Sequence, residues 1–201
     1  MNENFKKSIE TLEQFHLPRF RDLPEIELYM DQVIFTVEKY LSALKVGEKS
    51  LLTPSMVNNY VKNGVIPPPE KKRYTRDHLA QIIIICTLKQ TIELSDISVI
   101  LKKGADRFGM EKAFDAFADL YEKNIKALVD DARAADTSDL GVDMEYKTIV
   151  DDAVLSGASR IIVEHALASV QPIKDVSEPP KAKKKKQKQG DEEEISILPV
   201  I

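Results

Sequence analysis

Apolar residues recur at steps of three or four along most of this chain, the spacing that places them on one face of a helix. Ile26, Met30, Val33, Val37, Leu41 and Leu44 form such a stripe behind Pro24, and predict a helix from Pro24 to about Leu44. Met56, Val57, Tyr60 and Val61 form a second, shorter stripe. Its limits are clear: the Thr53 hydroxyl suits a cap, Pro54 suits a first helical turn, and Gly64 accepts the positive φ of a helix end. The expected helix is Pro54 to Asn63. From Arg76 to about Gln90, behind Thr75, the pattern changes, because Leu79, Ile82, Ile83, Ile84, Ile85, Cys86 and Leu88 wrap most of the circumference. A helix apolar nearly all round is a buried one, so this is the expected spine of the fold.

Ser95 is the expected cap of a short helix to about Lys102, whose Ile97, Ile100 and Leu101 close over the core. After Gly104 and Gly109, Phe114, Phe117, Tyr121, Ile125, Leu128 and Ala132 stripe a long helix from Met110 to about Ala135, with an acidic opposite face. A turn-rich linker, Asp136 to Asp143, leads to a last helix from about Tyr146 to Val170, interrupted at Ser156-Gly157. Residues 4–15 suit a short helix that Leu17-Pro18 ends, and Arg19 to Asp22 read as an arm. The fold class expected is mainly all-α.

Candidate chemistry concentrates between residues 52 and 101. Opposite the apolar stripe of the 54–63 helix lie Ser55, Asn58, Asn59, Lys62 and Asn63. Asparagine pairs with adenine in the major groove, and lysine contacts phosphate or guanine. Pro67-Pro68-Pro69 then holds the chain extended, and Glu70-Lys71-Lys72-Arg73-Tyr74 forms a basic loop suited to a phosphate backbone. Taken alone, the helix also reads as a solvated surface and the loop as a plain basic turn.

Together, Ser55-Met56-Val57-Asn58-Asn59-Tyr60-Val61-Lys62-Asn63-Gly64-Val65-Ile66, then Arg73-Tyr74-Thr75, Leu79, Leu88 and Leu94-Ser95-Asp96-Ile97 resemble the DNA-binding domain of MerR-type regulators. The chain to about residue 170 looks still more like a bacterial family of unknown function built on that domain. The resemblance implies a winged helix-turn-helix over 23–104, after an N-terminal arm, 1–22. A long-helix pair over 105–172 then precedes a tail, 173–201, whose composition predicts disorder. It also implies that Tyr60, Lys62, Lys72, Arg73 and Tyr74 face duplex DNA or support the surface that does. Asn58 and Asn59 stand where such proteins usually carry an arginine and a tyrosine, so the groove contacts differ. The loop from Lys45 to Ser50 is longer than the usual helix-turn-helix turn. The candidate DNA-binding set is Ser55, Asn58, Asn59, Tyr60 and Lys62, with Lys71, Lys72, Arg73, Tyr74 and Arg76 on the backbone.

Charge supports the same stretch. The net charge is −4, yet residues 50–104 carry eight basic and four acidic side chains, against eight and sixteen over 105–178. By analogy with MerR-type proteins, helices 110–135 and 146–170 are expected to pair two copies into a homodimer. The same stripes also fit a hairpin that only completes the core. Six lysines between 181 and 188, followed by four acids, read as a solvated tail or a non-specific nucleic-acid contact, and the apolar 195–201 as a segment that docks on a partner or on its own domain.

Other classes find little. The single cysteine, Cys86, lies in an isoleucine run and reads as buried and cytoplasmic. The first residues lack the apolar centre of a leader, and no apolar run is long enough for a membrane span. No glycine loop, nucleophile motif or metal-ligand spacing is present, so neither enzyme activity nor a metal or cofactor is expected. His78, beside Asp77, reads as a surface residue. The alternative function is a protein-interaction module that keeps the fold without binding DNA and works through the acidic helices.

Overall fold

A computed structural model describes residues 3–134 and 144–170. Those residues form seven α-helices, α1 (Glu3–Glu13), α2 (Met30–Tyr40), α3 (Pro54–Lys62), α4 (Arg76–Leu88), α5 (Leu94–Phe108), α6 (Met110–Ala134) and α7 (Met144–Val170). Single 3-10 turns lie at Phe20–Asp22 and Ser42–Leu44, and strand-like pairing among the described residues is confined to two isolated bridges. The described residues are all-α, as the periodicity predicts. No helix among the described residues is long and apolar enough to cross a membrane. The predicted tail, 173–201, and the 136–143 linker lie outside the described residues.

Helix α4 is the spine. It buries Leu79, Ala80, every residue from Ile82 to Cys86, and Thr87, and it packs against α2, α5 and α6. Val33, Val37 and Leu41 of the α2 stripe, Val57 and Tyr60 of α3, and Ile97 and Leu101 of α5 close around it. The same core continues into α6 through Phe114 and Ala118. Phe114 meets the Phe20 ring edge-on at 6.4 Å. A smaller cluster of Ile9, Val129 and Ala132 seals α1 against the far end of α6, where Glu13 and Arg133 form a two-toothed ion pair at 2.5 and 2.6 Å.

Four boundaries depart from expectation. Ser95 is not the cap of α5 but lies inside it, because the helix begins at Leu94 with Glu93 as its N-cap. The helix expected from Pro24 begins at Met30, because Leu28 is extended and exchanges two backbone hydrogen bonds with Tyr74, at 2.9 and 2.8 Å. The Gln32 Oε1 then accepts the Tyr29 N–H at 2.9 Å and caps the shortened helix, while Ile26 falls off the stripe and lies exposed. Helix α5 runs through Gly104 to Phe108 because that glycine faces α6, where an added Cβ would lie 3.4 Å from the Ala113 Cβ. The break comes at Gly109, at φ +79°. Helix α7 continues through Ser156-Gly157, where a Cβ added at the glycine would meet open space.

The Arg19–Asp22 arm is tied down. Glu122 on α6 accepts both guanidinium edges of Arg19, at 2.9 and 3.1 Å, and the Leu17 N–H at 2.8 Å. Asp119 adds an ion pair to Arg19 at 2.8 Å, and Asp115 accepts the Phe20 N–H at 2.7 Å. Burial alone would raise the Glu122 carboxyl, but the bonds from Arg19 and Leu17 outweigh it and hold its pKa below the ordinary value. Much of the acidic face of α6 is therefore engaged within the chain.

Candidate nucleic-acid interface

Thr53 starts α3 as expected, its Oγ1 accepting the Met56 N–H at 3.3 Å, and Asn63 and Gly64, the latter at φ +66°, end it. The loop before it is held from α2, where the Glu38 carboxylate accepts the Leu51 and Leu52 N–H groups at 2.6 and 3.0 Å. With Val57 and Tyr60 anchored in the core, Ser55, Asn58, Asn59 and Lys62 face solvent. Asn63 Nδ2 donates to the Asn59 carbonyl and to its Oδ1, at 2.8 and 2.9 Å, which fixes the Asn59 amide and leaves its NH2 outward. Asn58 and Lys62 make no side-chain hydrogen bond or ion pair among the described residues.

After Pro67–Pro69 the chain makes a hairpin of minimal length. Glu70 and Arg73 bridge, the Arg73 N–H donating to the Glu70 carbonyl at 2.8 Å, and Lys71 and Lys72 fill the two turn positions at φ +47° and +64°. Two successive positive φ values are the pattern of a type I′ turn, normally filled by Asn-Gly. A lysine there brings its Cβ against the backbone, at about 1 kcal/mol or more apiece. The strained turn holds two adjacent ammonium groups outward at its tip. Lys71, Lys72 and Arg73 are exposed and belong to no ion pair among the described residues; the Arg73 guanidinium lies 4.7 Å over the centre of the Tyr29 ring.

Tyr60 and Tyr74, expected to face DNA or to support its surface, are only 4% and 3% exposed, so neither faces outward. Burial raises both phenol pKa values, so each hydroxyl keeps its proton. Arg76 turns inward: it lies 5.5 Å over the Phe20 ring and pairs with Glu25 at 3.1 Å. Its Nε and Nη2 are buried without a hydrogen bond, the Glu25 contact being close enough for charge but poorly aligned for a bond. Ser55, Asn58, Asn59, Lys62, Lys71, Lys72 and Arg73 are thus the outward members of the candidate set.

His78 is not the surface residue expected, because it clasps the base of this hairpin. It is 6% exposed; Nδ1 accepts the Thr75 N–H at 3.1 Å and lies 2.8 Å from the Thr75 hydroxyl, while Nε2 sits 3.2 Å from the Pro67 carbonyl. Those partners assign the neutral ring with its proton on Nε2. The ring also meets Tyr74 edge-on at 5.5 Å, so one side chain holds both ends of the hairpin. A His three residues into a helix is a weak sequence signal, and only the fold brings Pro67 to it.

Burial lowers the His78 pKa below its ordinary 6.5, against smaller opposing effects of the Pro67 bond, Asp77 and Glu27. The unfolded chain therefore takes up a proton that the folded one refuses as pH falls below 6.5. This contribution to stability is complete above that pH and declines below it, down to the lower folded value. Denaturant unfolding from pH 7.5 to 5 should show that decline in the native protein, and a shallower one in His78→Gln. Equal slopes would remove His78 as the cause.

The described residues define an all-helical protein with a polar-faced short helix followed by a strained basic hairpin. Residues 18–124, more than half the chain, match the family described as a domain of unknown function, DUF1836, and the protein belongs to that family. No curated protein and no solved structure matches the chain.

Proposed function

We propose that this protein binds duplex DNA as a transcriptional regulator through a MerR-like winged helix-turn-helix, with α3 as the reading helix and the Glu70–Arg73 hairpin as the wing. The observation that carries this reading is the set of four exposed cations, Lys62, Lys71, Lys72 and Arg73, on consecutive elements. In a chain of net charge −4, none of them is in an ion pair among the described residues. Each cation that meets a phosphate releases counterions, and beside them the Asn58 amide and the outward NH2 of Asn59 offer hydrogen-bonding groups to base edges. Tyr60 and Tyr74 act from beneath, and Arg76, turned to Phe20 and Glu25, fixes the helix start. The rival reading, an interaction module, loses ground because Asp115, Asp119 and Glu122 are spent on residues 17–20.

Selection of sequences from a random duplex pool tests base reading. Asn58→Ala should retain general affinity and lose about 1–3 kcal/mol of preference at one base pair. Identical enriched sequences from both proteins would count against α3 as the reader.

The same reading calls for two copies. Helix α6 spends its apolar stripe on its own core, whereas α7 leaves Ile149, Val154, Leu155, Ile161 and Ile162 exposed and, among its residues of described burial, buries only Leu167. A helix apolar around its circumference calls for cover, and a two-fold partner supplies it with the same surface. Sedimentation of the full chain should show a dimer that Ile161→Glu/Ile162→Glu converts to monomer; a monomeric native protein would refute this contact.

A further inference from the structure

A cavity of about 900 Å³ opens between α1, the 41–51 segment and the C-terminal end of α4, with Tyr121 of α6 on one side. That volume lies in the range of sites for small organic ligands. Leu12, Leu41, Leu44 and Met56 supply apolar wall. Four lysines, Lys7, Lys45, Lys49 and Lys89, also line it, and no aspartate or glutamate does. Lys7, Lys45 and Lys49 are exposed, whereas Lys89 is partly buried.

The hydrogen-bond partners of Lys89 are neutral. Its Nζ donates to the Leu51 carbonyl at 2.7 Å and lies 3.5 Å from the Tyr60 hydroxyl and 3.9 Å from the Met56 sulfur. It belongs to no ion pair among the described residues. The nearby Glu38 carboxylate is committed to the Leu51 and Leu52 N–H groups. Burial, with the Lys49 ammonium acting the same way, lowers the Lys89 pKa against smaller opposing effects of Cys86 and Glu38.

We propose that this cavity binds an anionic amphipathic small molecule, a carboxylate with an apolar body, its head group on Lys89 and its entry lined by Lys45 and Lys49. The carboxylate brings to the cavity the negative charge that its lining lacks, through a charge-assisted hydrogen bond, and the apolar body covers the leucines and Met56. The site also touches the reader. Lys89 contacts Leu51, just before α3, and Met56 and Tyr60 on it, so an anion drawing Nζ away from the Leu51 carbonyl alters the seating of that helix. This coupling rests on the DNA-binding reading, but occupancy of the cavity does not.

Calorimetric titration of the full-length protein with sodium decanoate, and separately with decyltrimethylammonium, tests the site. Decanoate should bind with one molecule per chain and the cation should not. Lys89→Met should weaken decanoate about tenfold or more, and Lys45→Glu/Lys49→Glu should weaken it measurably. If Lys89→Met loses its helical circular dichroism, the exposed double variant decides alone. No decanoate binding, equal binding of the cation, or native affinity in the folded variants would overturn the proposal. Repeating the titration beside a DNA-binding measurement separates the two readings: decanoate binding without any DNA binding leaves the cavity standing and removes only the coupling.

Discussion

Lys71→Glu/Lys72→Glu is expected to lose about two to three orders of magnitude in affinity for duplex DNA, with every sequence affected alike. Each charge-assisted contact is worth about 1.5–3 kcal/mol, and reversal adds repulsion from the phosphates. Both side chains are exposed and outside any ion pair among the described residues, so the folded domain should tolerate the change. Lys71→Asn/Lys72→Gly provides the companion result. It suits the positive φ values of +47° and +64°, so it should also bind weakly while unfolding at higher denaturant. A wing kept for binding at the expense of local backbone comfort behaves in this way; a merely tolerated turn gains stability and keeps its affinity.

Phe114→Ala is expected to destabilise the protein by about 3–5 kcal/mol, the usual result of emptying a large aromatic site. Phe114 is fully buried, meets Phe20 edge-on, and joins α6 to the core around α4. Leu120→Ala, on the same helix but 60% exposed, should change stability by less than about 0.5 kcal/mol. Guanidinium unfolding of both variants checks the pair. Comparable losses would mean that α6 is not held by the face assigned to it.

Local signals served best where the physics is local. Thr53, Pro54 and Gly64 bounded α3 to within a residue, and the isoleucine run identified α4 as the buried spine, because capping and all-round hydrophobicity depend only on neighbours in sequence. The stretch before α2 was misread as helix because Leu28 is extended by Tyr74, whose pairing no local period encodes. The helix expected to stop near Lys102 runs on to Phe108, because the reason for a glycine at 104 is Ala113, on the next helix. The candidate site divides the same way. The polar face of α3 follows from its period, which also placed Tyr60 on the buried side. Lys71 and Lys72 were legible as charges but not as a strained turn, since neither is a residue that normally adopts positive φ. His78 and Lys89 stayed hidden because their partners, Pro67 and Leu51, lie 11 and 38 residues away.

The most direct test of DNA reading by α3 and its wing is a salt series of fluorescence-anisotropy titrations on a random-sequence duplex. It compares the full-length native protein with Lys71→Glu/Lys72→Glu. The native affinity should fall steeply and linearly in logarithmic coordinates, and the variant's slope should be shallower by about two. Equal slopes for the two proteins, or no binding by the native one, would contradict the account.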